Sequence, residues 1–233
     1  MRERGRDDVS ALVRAARRAL GAARRATGGE LGGERSGGDL PSLGLSGEEL
    51  RGICRAVFAR HELSSCDEWR RAVLALWRGA RCAEERVAAF ELSGRRGYEC
   101  CQTAGALALY EEMIASSPPG RLGDAVARRR VAPILREAPA PVGRVLRRWA
   151  RSADPRMRRA ALLSQVGVGA PADPRLLADC LSRLRDDPAP IVRRAVAAAL
   201  RRGARGRAGG AAPASVRVGD AARGARRSRP VRG

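Results

Sequence analysis

One aspartate stands where a repeated segment otherwise carries arginine. Pro155-Arg156-Met157-Arg158-Arg159-Ala160-Ala161 and Pro190-Ile191-Val192-Arg193-Arg194-Ala195-Val196 lie 35 positions apart. Another 35 positions before Arg159 lies Asp124, in Gly120-Arg121-Leu122-Gly123-Asp124-Ala125-Val126. A carboxylate stabilises positive charge developing beside it and can position a water, while a guanidinium holds an anion through paired N–H bonds. The plainer alternative for Asp124 is a helix N-cap or a salt-bridge partner for Arg158, Arg128 or another neighbour. Arg156, Arg158, Arg193, Arg194 and Arg201 are candidates to track phosphates along one face, the alternative being a solvated outer face.

Helices must position these residues. Val9, Leu12, Val13, Ala16 and Leu20 predict an amphipathic helix over 8–25. After a Gly-rich break from Thr27 to Gly38, helical stripes follow closely: Leu50, Ile53, Cys54 and Val57; Trp69, Val73, Leu76 and Trp77; Leu107, Tyr110 and Ile114. Val142, Val145, Leu146 and Trp149 form the next, and Leu177, Cys180, Leu181 and Leu184 precede Val192, Ala195, Val196 and Ala199. Each has the three-and-four spacing of a helix with one buried face. Asp154-Pro155, Asp173-Pro174 and Asp187-Pro188 read as helix starts, the acid as N-cap and Pro in the first turn. Glu84-Glu85-Arg86-Val87-Ala88-Ala89 is a looser copy of the repeat. A period of this length marks stacked helix pairs, each burying its apolar face on its neighbours. The expected fold is all-α, a solenoid of antiparallel helix pairs with a concave basic face. It divides into a basic N-terminal segment (1–38), a repeat domain (39–202) and a disordered Arg/Gly/Ala-rich tail (203–233).

The net charge of +21 and pI near 11.6 point to a polyanionic partner, nucleic acid first. All 46 basic residues are Arg, with no Lys and no Asn. Such usage belongs to a GC-rich coding sequence, but drift of that kind does not set the sign of the charge. The tail holds eight Arg and one Asp, so it carries +7. It is either a loose DNA-holding arm or an unselected extension.

Six Cys occur without a Cys-x-x-Cys, and the adjacent Cys100 and Cys101 suit neither a disulfide framework nor a zinc site. All six are expected to be reduced and mostly buried. The single histidine, His61, is expected at a surface or helix end. Trp77 and Trp149 belong to the core. Gly167-Val168-Gly169-Ala170-Pro171-Ala172 fits a loose dinucleotide fingerprint, but no strand precedes it and it is set aside. No signal-peptide or membrane-spanning run is visible, so a cytoplasmic, nucleoid-associated protein is expected, without metal or cofactor and monomeric.

The Arg-Arg-Ala-Ala openings resemble HEAT-type repeats, and the order of segments resembles the DNA alkylation repair family of AlkD type. Four stretches carry the likeness, covering about residues 40–202. They are Leu43-Gly44-Leu45-Ser46-Gly47-Glu48-Glu49-Leu50-Arg51; Leu76-Trp77-Arg78 with Glu84-Glu85-Arg86-Val87-Ala88-Ala89; Trp149-Ala150-Arg151-Ser152 with Met157 to Gln165; and Val192-Arg193-Arg194-Ala195-Val196 with Leu200-Arg201. The third is the most specific. The resemblance implies that Asp124 is the catalytic aspartate and Arg159 the active-site arginine on DNA. The implied substrate is double-stranded DNA containing N3- or N7-alkylated purines. The implied activity is that of a monofunctional N-glycosylase needing no cofactor. Cleavage of an already cationic base develops oxocarbenium character on the sugar, which Asp124 would stabilise while positioning water. Glycosylases in general flip the base into a snug pocket. The chain has seven aromatic residues and none beside Asp124, so the implied route leaves the lesion in the duplex. Two family aromatics are replaced, by Gly120 and Ala198. Two rival expectations remain: a lapsed enzyme that binds damaged or branched DNA, and a protein-interaction scaffold with an apolar or acidic concave face.

Overall fold

The computed structural model describes residues 2–26, 40–118, 120–166 and 173–210. The Gly-rich break, the fingerprint-like loop and the tail beyond 210 lie outside the described residues. Among the described residues every regular element is helical. In order these are α1 (Arg2–Ala26), α2 (Gly47–Ala59), α3 (Cys66–Arg78), α4 (Ala83–Ser93), α5 (Leu107–Ala115), α6 (Arg121–Val126), α7 (Ala132–Glu137), α8 (Pro139–Trp149), α9 (Pro155–Leu163), α10 (Pro174–Leu184) and α11 (Pro190–Gly210). Short 3₁₀ turns precede α5, and a π turn, Ala127–Val131, joins α6 to α7.

Chain neighbours pack on each other: α3 on α4, α8 on α9, α10 on both α9 and α11. Other contacts join units 35 residues apart, α9 extensively with α11, and α6 with α9. This is the packing of a helical repeat solenoid. One continuous core runs through it, with Leu12, Trp69, Trp77, Tyr110, Leu146 and Trp149 each 2% exposed or less. The helix expected over 8–25 runs longer, and Val9, Leu12, Val13, Ala16 and Leu20 are buried against α2 and α3. The N-terminal helix therefore shares the repeat core. At the other end α11 continues past 203 to Gly210.

Starts and stops follow the local chemistry. Ser46 and Glu49 form a capping box, Ser65 caps α3 through the Glu68 N–H, and Asp154 and Asp173 accept from the N–H groups of Arg156 and Arg175. Asp187 departs from the expected pattern. Its helix begins at Pro190, and the Asp187 carboxylate instead accepts the Ala189 N–H and turns inward to Arg158. The π turn traces to Pro133 at the start of α7. Pro133 lacks the N–H that an unbroken α ladder would use, and its ring crowds the carbonyl four residues back, so the preceding turn widens.

The reading of six reduced cysteines is corrected by a disulfide between Cys66 and Cys101. The 3₁₀ turn Glu99–Cys101 points the two adjacent cysteines apart in burial: Cys101 is buried towards α3 and Cys100 is exposed. Cys54, Cys82 and Cys180 are free and buried, as expected. Among the described residues no helix is long and apolar enough to cross a membrane.

Candidate functional site

The repeat register carries Asp124, Arg159 and Arg194 to equivalent positions on α6, α9 and α11. The first two meet. Arg159 Nε donates to Asp124 Oδ1 at 2.7 Å and Nη2 to Oδ2 at 2.6 Å, a bidentate pair with both side chains about one-fifth exposed. Arg159 Nη1 also donates to the Ile191 carbonyl at the start of α11. One guanidinium thus ties three successive units together. It keeps two of its five N–H groups for another acceptor.

The pair forms part of the wall of an open cavity of about 120 Å³. Ile114 and Ser117 at the end of α5, the Pro118 and Gly120 loop, Arg156 on α9, and Ile191 and Arg194 on α11 complete it. Local sequence explains the shape. Gly123 brings α6 against Ser117, whose Cβ an added methyl would touch at 3.4 Å. Gly120 has φ +145°, a conformation that disfavours any side chain, and nothing lies within 4 Å of where a Cβ would stand. The aromatic carried by the family at that position is therefore replaced by open space and by a backbone unfit to bear it. Ala198 on α11 is half-buried and supplies no ring either.

The remaining candidates separate. Arg156 lines the cavity, held by Asp154 at 3.0 and 3.1 Å and by the Ser117 carbonyl at 3.2 Å. Arg194 lines the cavity, is exposed, and its side chain makes no hydrogen bond or ion pair among the described residues. Arg201, two turns further along α11 on the same face, is exposed as well. Arg193 is exposed, is not part of the cavity lining, and donates to the carbonyls of Asp187 and Pro188. Arg158 faces elsewhere. Its Nε and Nη2 grip the buried Asp187 at 2.6 and 3.0 Å, and its Nη1 donates to the carbonyls of Ser152 and Ala153. That arrangement makes it an internal strut and leaves it little to offer a phosphate. The same hydrogen bonds, first among several causes, hold the Asp187 carboxyl below its usual range.

The motif around Glu84 also proves to be internal stitching. Glu84 accepts from Ser42 Oγ and the Leu43 N–H, both at 2.8 Å, fixing the strand of chain before α2. Glu85 accepts from Arg17 on α1 and from the Arg81 N–H. Trp77 gives its indole N–H to Ser116, Trp69 gives its own to the Leu92 carbonyl, and Trp149 is buried. All three tryptophans serve the core.

Sequence reasoning missed Arg130. Its guanidinium is half-buried between α4 and the π turn, donating to Ser93 Oγ at 2.9 Å and the Phe90 carbonyl at 2.9 Å, with the Phe90 ring 4.2 Å away. Burial, the largest influence, lowers its pKa. No period or motif marks it, because its partners lie about 40 residues back.

Fold and site together define a helical-repeat protein whose cationic cavity contains one carboxylate. The chain belongs to the DNA alkylation repair enzyme family, which it matches over residues 17–208. The match takes in the last part of α1 (17–26) as well as the repeats, and membership supports a role as an enzyme of DNA repair. No curated protein matches the chain.

Proposed function

We propose that the protein hydrolyses the N-glycosidic bond of N3- or N7-alkylated purines in duplex DNA, using the Asp124–Arg159 cavity. The observation that carries this reading is the single carboxylate, bidentately held by an arginine, in a cavity lined by two further arginines. In the free protein Arg159 occupies both oxygens of Asp124. A DNA phosphate arriving at Arg194 and Arg159 competes for that guanidinium and turns one Asp124 oxygen towards the sugar. There the carboxylate stabilises the oxocarbenium-like sugar and holds the attacking water, while the departing base leaves neutral. The bond to a cationic purine is already weak, so a shallow cavity without a stacking ring suffices, and the lesion stays in the duplex.

Incubation with a duplex containing N7-methylguanine tests this. Release of free base above the spontaneous rate is expected, leaving an abasic strand cut only by later alkali. The open space at Gly120 and the ring-free Ala198 favour a second reading, a DNA-binding protein that has lost the chemistry. Duplex binding with no base release would select it. Neither binding nor release would return the chain to the scaffold reading.

A further inference from the structure

Cys66, Cys100 and Cys101 form a sulfur cluster where the first turn of α3 meets the 3₁₀ turn after α4. Their three Sγ atoms lie within 4.8 Å of one another, and those of Cys100 and Cys101 are 3.8 Å apart. The backbone around them is pinned. The Leu63 N–H donates to the Tyr98 hydroxyl at 3.0 Å, and the Cys101 N–H donates to the Tyr98 carbonyl at 3.1 Å. The cluster therefore brings together two segments held in place by neighbours other than sulfur.

We propose that, once a dithiol reductant opens the Cys66–Cys101 bond, the thiolates of Cys66, Cys100 and Cys101 bind one copper(I) ion. In the opening step the reductant gives up two electrons and two protons and closes its own disulfide, while Cys66 and Cys101 become thiols. Copper(I) then displaces the thiol protons to solvent as each sulfur binds. Metal–sulfur bonds of about 2.3 Å in a trigonal plane set the sulfurs roughly 4 Å apart. Cys100 and Cys101 already have that spacing. No histidine or carboxylate joins the cluster among the described residues. Three soft ligands without a fourth suit copper(I) better than zinc, whose structural sites take four. The exposed Cys100 gives the ion a way in. The other thiols compete poorly. They are single and buried, and burial pushes Cys54 up to about 12 and Cys82 up to about 11, and raises Cys180, keeping all three protonated.

The test is an anaerobic titration of the full chain, reduced and unreduced, with copper(I) supplied as a complex of a chromophoric chelator. The reduced protein is expected to withdraw one equivalent and to develop near-ultraviolet thiolate-to-copper absorption, while the unreduced protein withdraws none. Cys66→Ser and Cys100→Ser should each lose the absorption and at least tenfold in affinity with unchanged helical circular dichroism. Cys180→Ser should keep both. If the reduced protein leaves copper with the chelator, or if Cys100→Ser competes as well as the parent, the site does not exist.

Discussion

Arg158 and Arg159 are neighbours in sequence and have opposite fates. Successive helical residues point about 100° apart, so Arg159 reaches Asp124 in the cavity while Arg158 swings to the buried Asp187. Residue type could not separate them. The 35-residue register did, because it matched Arg159, and not Arg158, to Asp124. Removing Arg158 leaves a buried carboxylate without its main partner. Arg158→Ala should cost ~2–3 kcal/mol of stability, measured by denaturant unfolding. The pH dependence has a definite sign. The folded Asp187 carboxyl lies below its unfolded value, so its contribution is complete above about pH 4 and is lost as pH falls through the lowered value. Arg158→Ala should therefore flatten the acid limb of the stability profile. An unchanged limb would mean that other carboxylates set it.

Helix identity, order and most caps were legible because they rest on local patterns: apolar spacing, Ser and Asp at N-caps, Pro in first turns. Three features were not, and two of them depend on contacts remote in sequence. The Cys66–Cys101 bond joins elements 35 residues apart, the π turn answers to Pro133, and Arg130 finds Ser93 and Phe90 across 37 and 40 positions. Asp187 looked like an N-cap because its local signal is the same as that of Asp154, yet Arg158 claims it. At this scale Gly94 gives a sharp test. A Cβ there would run into the Arg130 guanidinium, which is held by three hydrogen bonds and a ring contact. Gly94→Ala should cost about 2 kcal/mol, read as a lower thermal midpoint. Gly105→Ala, at an exposed site with only Thr103 nearby at 3.5 Å, should cost well under half that.

For the whole molecule, a charge of +21 makes the salt dependence of binding the natural probe. Duplex affinity should fall linearly on a log–log plot against salt, and Arg194→Ala and Arg201→Ala should each lower the slope by about 1. Arg158→Ala should leave the slope unchanged, since that side chain is spent internally. The register placed Asp124 and Arg159 at equivalent helix positions, but not that they bond each other rather than Asp124 bonding Arg158 or Arg128, which depends on how α6 packs on α9. Whether the pair opens on DNA depends in turn on a competing phosphate. The most direct measurement is the single-turnover rate of base release from N7-methylguanine duplex by the parent and by Asp124→Asn. A fall of about 100-fold or more, with duplex affinity kept within a few-fold, is the expected result for a group that stabilises only the transition state. Equal rates would mean that Asp124 is no more than the structural partner of Arg159.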